Sequence, residues 1–206
     1  FEIEKSKVLS NLGYFYIDFD QPDKGIKQLE LARISLSENK FSINSITQPL
    51  LGTVLHNIGL GYERKQSADE ALQFYNQALK VREVLINPTD IETQANFAQT
   101  MNCIANILTD KAQWDTALKA YLVALEKRAI AFKVSKFVYG LDYTETMINL
   151  ALYFHTRFLN TNDQKDKESA LEYNNNALLI LETLPDSSRR TQHINLANSI
   201  QAIMDK

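Results

Sequence analysis

Four short segments of the chain read alike: Leu9-Ser-Asn-Leu-Gly-Tyr, Leu55-His-Asn-Ile-Gly-Leu, Met101-Asn-Cys-Ile-Ala-Asn and Met147-Ile-Asn-Leu-Ala-Leu. Their small residues, Gly13, Gly59, Ala105 and Ala151, follow one another at a constant interval of 46 positions. A fixed period of this length marks a chain made of stacked copies of one supersecondary unit, since one copy alone cannot bury its apolar face. Three of the segments have a downstream partner: Gly25 with Leu29 and Ala32, Ala71 with Tyr75 and Ala78, and Ala117 with Tyr121 and Ala124. The spacing i, i+4, i+7 is one face of a helix. A small residue in the first helix lets a second helix approach closely, and the residue of the second fills the space beside it. Each repeat is therefore expected to be a helical hairpin.

Composition agrees with an all-α chain. Six Gly and four Pro among 206 residues supply too little turn chemistry for an all-β fold, and 45% hydrophobic with 23% charged residues exclude disorder over most of the length. The spacing predicts helices over 2–18, 22–39, 47–65, 68–86, 91–111, 114–136, 141–159, 167–184 and 188–204. Ser67-Ala-Asp-Glu70 has the form of a capping box, Asp20 and Pro22 suit a helix start, and Thr89 or Asp90 can cap the helix after Pro88.

The pattern Leu-x-x-Leu/Ile-Gly/Ala-x-x-Tyr followed by Ala-x3-Tyr-x2-Ala resembles the tetratricopeptide repeat, with Trp114 at the aromatic position that opens the second helix. Gln77-Ala-Leu-Lys-Val-Arg-Glu-Val-Leu85 and the Leu/Met-x-Asn-Leu/Ile-Gly/Ala segments are similar to the longer repeats of the kinesin light chain type. The resemblance implies a right-handed superhelical solenoid: a single domain over 1–206 of about four hairpins, roughly 2–46, 47–90, 91–137 and 138–185; the apolar stripe of Ile194, Ala197, Ile200 and Ile203 or Met204 predicts a capping helix at 188–204. The period exceeds the family's usual length by about one helical turn at the repeat junction. The fourth repeat is irregular. Phe154 and Ala170 stand seven residues further apart than expected, Tyr173 falls one position early, and the polar stretch from Asn160 to Lys167 is expected to be an exposed insertion loop.

The first helices of repeats two and three are nearly free of charge, whereas the second helices carry Lys80, Arg82, Glu83, Lys119, Glu126, Lys127 and Arg128. The first helices are thus expected to wall a concave groove and the second to form the solvated outer layer. If each small residue faces the neighbouring repeat, the positions three before, one after and four after it turn to the groove: Ser10, Tyr14 and Ile17; His56, Leu60 and Glu63; Asn102, Asn106 and Thr109; Ile148, Leu152 and His155. Apolar pockets beside hydrogen-bonding amides suit an extended or helical peptide. Asn11, Asn57 and Asn149 hold the position two before the small residue, where Cys103 interrupts the series. In kinesin light chains asparagines in this stretch help line the cargo groove, and an equal reading is a structural amide tying hairpins together. The candidate peptide-binding set is Tyr14, His56, Asn57, Leu60, Glu63, Asn102, Asn106, Asn149, Leu152 and His155. Lys7 is the one basic residue placed near it, against Glu63, Asp110 and Glu145, so the acidic-peptide preference of kinesin light chains is not carried over.

No chemistry beyond binding is legible. A net charge of −3 gives no general attraction to nucleic acid. One cysteine, Cys103, excludes disulfides and a cysteine zinc site, and in an apolar helix it is expected to be a small core residue. His56, His155 and His193 do not share one spacing, and no phosphate loop, His-Glu-x-x-His or Gly-x-Ser-x-Gly is present. No catalytic residue, metal or cofactor is expected, and the partner is a protein or peptide, with no nucleic acid and no membrane. The uncharged run between Lys40 and Glu63 is too polar to span a bilayer and is expected to be a loop and then a helix. The chain, opening on Phe1, is expected to be a fragment of a longer protein, cytoplasmic, whose groove binds a partner segment. The competing readings are an assembly module acting through its convex face or ends and a regulatory domain binding its own full-length chain.

Overall fold

The hairpin turns repeat as faithfully as the sequence does. In the computed structural model, which describes residues 2–38, 47–87 and 89–204, the secondary structure of the described residues is entirely α-helical: α1 (Glu2–Asp18), α2 (Pro22–Glu38), α3 (Thr47–Arg64), α4 (Ala68–Leu85), α5 (Ile91–Asp110), α6 (Trp114–Val134), α7 (Lys136–Thr161), α8 (Gln164–Glu182) and α9 (Ser188–Met204). Four non-glycine residues have left-handed backbones, Asp20 (φ 57°), Gln66 (59°), Ala112 (54°) and Asn162 (58°), one between the two helices of each hairpin. After the first three, the next N–H reaches back five residues: Gln21 to the Tyr16 carbonyl at 2.8 Å, Ser67 to Tyr62 at 2.9 Å and Gln113 to Leu108 at 2.9 Å. The left-handed residue itself donates three residues back, at 3.1, 2.9 and 2.9 Å. This doubly bonded ending satisfies carbonyls that would otherwise lack partners. The second helix starts at once, with Gly25, Ala71 and Ala117 donating to the carbonyls of Gln21, Ser67 and Gln113. One residue thus closes the first helix and opens the second, which sets the entry angle of each hairpin.

The described residues group into two compact units, one up to Asn87 and one after it. In the first, α1 pairs with α2 and α3 with α4, and α3 packs on both α1 and α2. Ile17, Leu29, Ala32, Leu36, Val54 and Ile58 form its core, with Leu9, Leu60, Tyr62 and Phe74 against it. In the second, α5 pairs with α6 and α7 with α8, α7 packs on α5 and α6, and α9 covers α7 and α8. The hairpins within each unit follow one another as in a tetratricopeptide solenoid. The expected loop at 40–46 lies outside the described residues, as does Pro88.

The small residues receive the partner helix of their own hairpin. A Cβ on Gly13 would meet the Leu29 side chain at 2.5 Å, and one on Gly59 would meet the Tyr75 ring at 2.7 Å. This bears out the expected close approach of the second helix within each of these hairpins and overturns the other premise, that the small residues face the neighbouring repeat, from which the groove positions follow. Since three residues turn a helix by about 300°, the position three before the small residue shares its inward face, and Ser10, His56, Asn102 and Ile148 are all buried.

Several further expectations are corrected. Arg82 and Arg128 are buried rather than on an outer wall. The Arg128 guanidinium donates to the Asp142 carbonyl (2.5 Å), Glu145 (3.2 Å) and Thr146 Oγ1 (2.8 Å), which ties α6 to α7. Ser67 stands at its helix start without a side-chain cap bond, whereas Asp90 caps α5 by accepting from the N–H groups of Glu92 (3.0 Å) and Thr93 (3.4 Å).

Asn160 to Lys167 is not an exposed loop. α7 continues to Thr161 and α8 begins at Gln164, with Asn162 left-handed and Asp163 accepting from the Lys165 N–H. The extra residues lengthen the helices, and within them Asp166 turns inward, 2% exposed, and is held in a two-pronged pair by Arg157, whose Nε lies 2.7 Å from Oδ2. The position that holds Tyr75 and Tyr121 in earlier repeats is Asn174 here. Its amide donates to the Ala197 carbonyl (3.1 Å) and Gln201 Oε1 (3.3 Å), fixing α9, whose Ala197, Ile200 and Met204 are buried.

Candidate peptide-binding site

A cleft of about 260 Å³ opens in the second unit, lined by Asn106, Thr109, Asp110, Tyr121, Asn149, Leu152, Tyr153 and Thr156. Its walls come from α5, α6 and α7. Asn106 and Leu152 each follow the small residue of their helix, so they turn about 100° away from the hairpin interior. Asn149 sits one turn before Leu152 and Tyr153 on α7, and Asp110 one turn after Asn106 on α5. The cleft is a consequence of register: side chains adjacent to the inward stripe, on two neighbouring first helices, face the same opening.

The floor is a hydrogen-bonded tyrosine pair. Tyr121, 2% exposed, donates its hydroxyl proton to Asn106 Oδ1 at 2.7 Å, and Thr109 Oγ1 lies 3.4 Å from the same hydroxyl while donating to the Ala105 carbonyl at 2.9 Å. Tyr153 donates to the Trp114 carbonyl at 3.0 Å and accepts from Arg157 at 2.9 Å. The two rings meet edge to face, centroids 5.8 Å apart. Burial pushes both phenols above their ordinary pKa, opposed at Tyr121 by its bond with Thr109 and at Tyr153 by Arg157, so neither is a proton donor or acceptor near neutral pH. Both hydroxyl protons are engaged by acceptors of the protein, which leaves the NH2 group of Asn106 as its free end. The lining presents the Asn amides, hydroxyl and carboxylate oxygens and the Leu152 side chain.

The ten sequence candidates divide accordingly. Asn106, Asn149 and Leu152 come together in the cleft. Asn102 is buried in the same unit with its Oδ1 unpartnered. His155 is half-buried with Nδ1 unpartnered, its pKa lowered by burial and then by Lys167. In the first unit Tyr14 is exposed and Asn57 half-buried, while Leu60 packs on the core. His56 is buried with its ring 5.2 Å from that of Tyr75, and the Tyr75 hydroxyl donates to Glu63 at 2.7 Å. His56 and Asn102 are interior side chains because the inward stripe includes their position. Thr109, which belongs only to the wider groove positions, and Asp110, Tyr121, Tyr153 and Thr156 are absent from the ten. Continuing the i, i+4 spacing from Asn106, Asn149 and Leu152 would have reached three of them.

Among the described residues no group of three or more His, Cys, Asp or Glu side chains could hold a metal ion, and no helix is long and apolar enough to cross a membrane.

Paired helices, a left-handed turn within each hairpin, 46 residues apart in the first three, and a terminal covering helix define the tetratricopeptide-like helical repeat fold. Solved structures with that fold match across nearly the whole chain. BtubC (BKLC) from P. vanneervenii is 17% identical with a TM-score of 0.67, covering 96% of this chain and 80% of its own. The apo form of RapI is 17% identical with a TM-score of 0.69, covering 98% of this chain and 54% of RapI. A putative kinesin light chain from P. anserina with nearly identical TPR-like repeats is 12% identical with a TM-score of 0.62, covering 100% and 99%. No family model matches the chain, and no curated protein does.

Proposed function

We propose that the chain is a non-catalytic protein-interaction module that grips an extended or helical segment of a partner in the cleft of α5, α6 and α7. The observation that carries this reading is the meeting of the Asn106 and Asn149 amides beside Leu152 in an opening of about 260 Å³. Sites for whole small molecules run to roughly 300–1,000 Å³, so this volume suits one long side chain and its flanking main chain. Amides there can pair with peptide groups while Leu152 covers an apolar stem. Both kinds of group stand on helices rather than loops, so the site is formed before the partner arrives. The protein partners typical of this fold and the single Cys103, suited to a reducing cytoplasm, fit the same reading.

Selection of displayed random linear peptides against the full chain tests it. Selected peptides are expected to bind, and Asn149→Ala with Leu152→Glu to weaken them by about tenfold or more, near 1.4 kcal/mol, with the thermal midpoint unchanged. Binding indifferent to that pair would reject the cleft.

A further inference from the structure

The cleft has one charge. Asp110, exposed at the end of α5, is its single ionisable carboxylate, and no Lys or Arg lines it. The Asp110 carboxylate lies close enough to the Tyr121 hydroxyl to disfavour phenolate formation there. Arg157 reaches the lining residue Tyr153 with Nη1 but is already held by both oxygens of Asp166. Its charge is therefore spent inside the unit. Both tyrosine hydroxyl protons are also taken up by acceptors of the protein, Asn106 Oδ1 and the Trp114 carbonyl. What the lining offers an entering side chain is the Asp110 carboxylate, its one full charge, beside the Asn106 and Asn149 amides and the Thr156 hydroxyl, which can donate as well as accept. An anionic side chain entering would meet Asp110 and no counter-charge, whereas a cationic one would meet an unneutralised carboxylate and oxygen acceptors.

From this we infer that the cleft takes a lysine or arginine side chain of the partner segment, with its methylene stem along Leu152 and its charged head at Asp110. The inference rests on the binding reading given above. Asp110 sits at the rim and so acts by pairing and by steering; the attraction weakens as salt rises.

The same displayed-peptide selection carries the test. Peptides are expected to be enriched in Lys or Arg at one fixed position. Replacing that residue by Gln, or making Asp110→Asn in the chain, is expected to weaken binding by about two- to fivefold at low salt; the charge reversal Asp110→Lys should shift the preference at that position to Glu or Asp. Because Asp110 is exposed, these variants are expected to melt with the parent protein. Peptides that bind, respond to Asn149→Ala with Leu152→Glu, and yet show no basic preference and no response at Asp110 would overturn this inference alone. Binding that ignores the cleft pair would overturn the binding reading, and this inference with it.

Discussion

A left-handed backbone without glycine stores about 1–2 kcal/mol per residue, and Gln66 and Ala112 bear it in turns that Gly would adopt freely. Gln66→Gly or Ala112→Gly is expected to raise stability by about 0.5–1 kcal/mol, the relief exceeding the added freedom of the unfolded chain. Asn162→Gly should change little, because Asn tolerates the region. Denaturant midpoints at constant slope measure both. Gly59→Ala acts in the opposite direction: its Cβ would stand 2.7 Å from the Tyr75 ring, and displacing that ring is expected to destabilise by about 1–3 kcal/mol. Two histidines add a pH dependence. Burial lowers the pKa of His155, with Lys167 nearby, and of His193, which faces Thr144, Glu145, Arg189, Asp142 and Arg128. The unfolded chain then binds more protons below the ordinary histidine value of about 6.5, so their stabilisation is complete above that pH and is lost as pH falls below it. Urea midpoints should drop between about pH 7.5 and about pH 5, and drop less in the double variant His155→Gln, His193→Gln. Single residues were also where the sequence misled. Apolarity and spacing mark that a residue lies near the inward stripe, but not whether a polar one such as His56 or Asn102 lies within it or at its edge, a difference of one helical position.

At the scale of elements, helix extents were legible because caps, small residues and apolar spacing agreed at the same places. They failed together only in the last repeat. Charge there reads as solvated loop, and pairing between Arg157 and Asp166, nine residues apart in sequence, leaves no local signal. Removing one partner of this buried pair is expected to destabilise by about 3–5 kcal/mol, as in Arg157→Met, because Asp166 would stay buried without its counter-charge. The double variant Arg157→Met, Asp166→Leu should recover part of that loss, a coupling that a double-mutant cycle isolates. Helix α9 is the other element whose role was readable, from the apolar stripe of Ile194, Ala197, Ile200 and Ile203 or Met204, of which Met204 is buried and Ile203 exposed. Truncation after Pro185 exposes the faces of α7 and α8 that α9 covers and removes the buried Ile200 and Met204, each worth about 1.5–3 kcal/mol. A clear fall in the thermal midpoint is expected, and an unchanged midpoint would show that α9 does not cap the unit.

For the molecule as a whole, the 46-residue period specified how many hairpins form and where the first three turn, since copies with the same stripe and the same left-handed turn close in the same way; the fourth turns at Asn162, 50 positions after Ala112. The period left open which side chains meet across neighbouring hairpins, because that depends on a helix rotation of under one residue. The cleft, the buried Arg128 and the choice of Asn106 over Asn102 all follow from that rotation. The small residue of each first helix must therefore lie against its own second helix. Nuclear Overhauser contacts in the full chain measure this directly: the Gly59 α-protons should show strong contacts to the Tyr75 ring, and the Gly13 α-protons to the Leu29 methyl groups. Contacts from these glycines to a neighbouring hairpin, with none to Tyr75 or Leu29, would contradict the register on which the site is built.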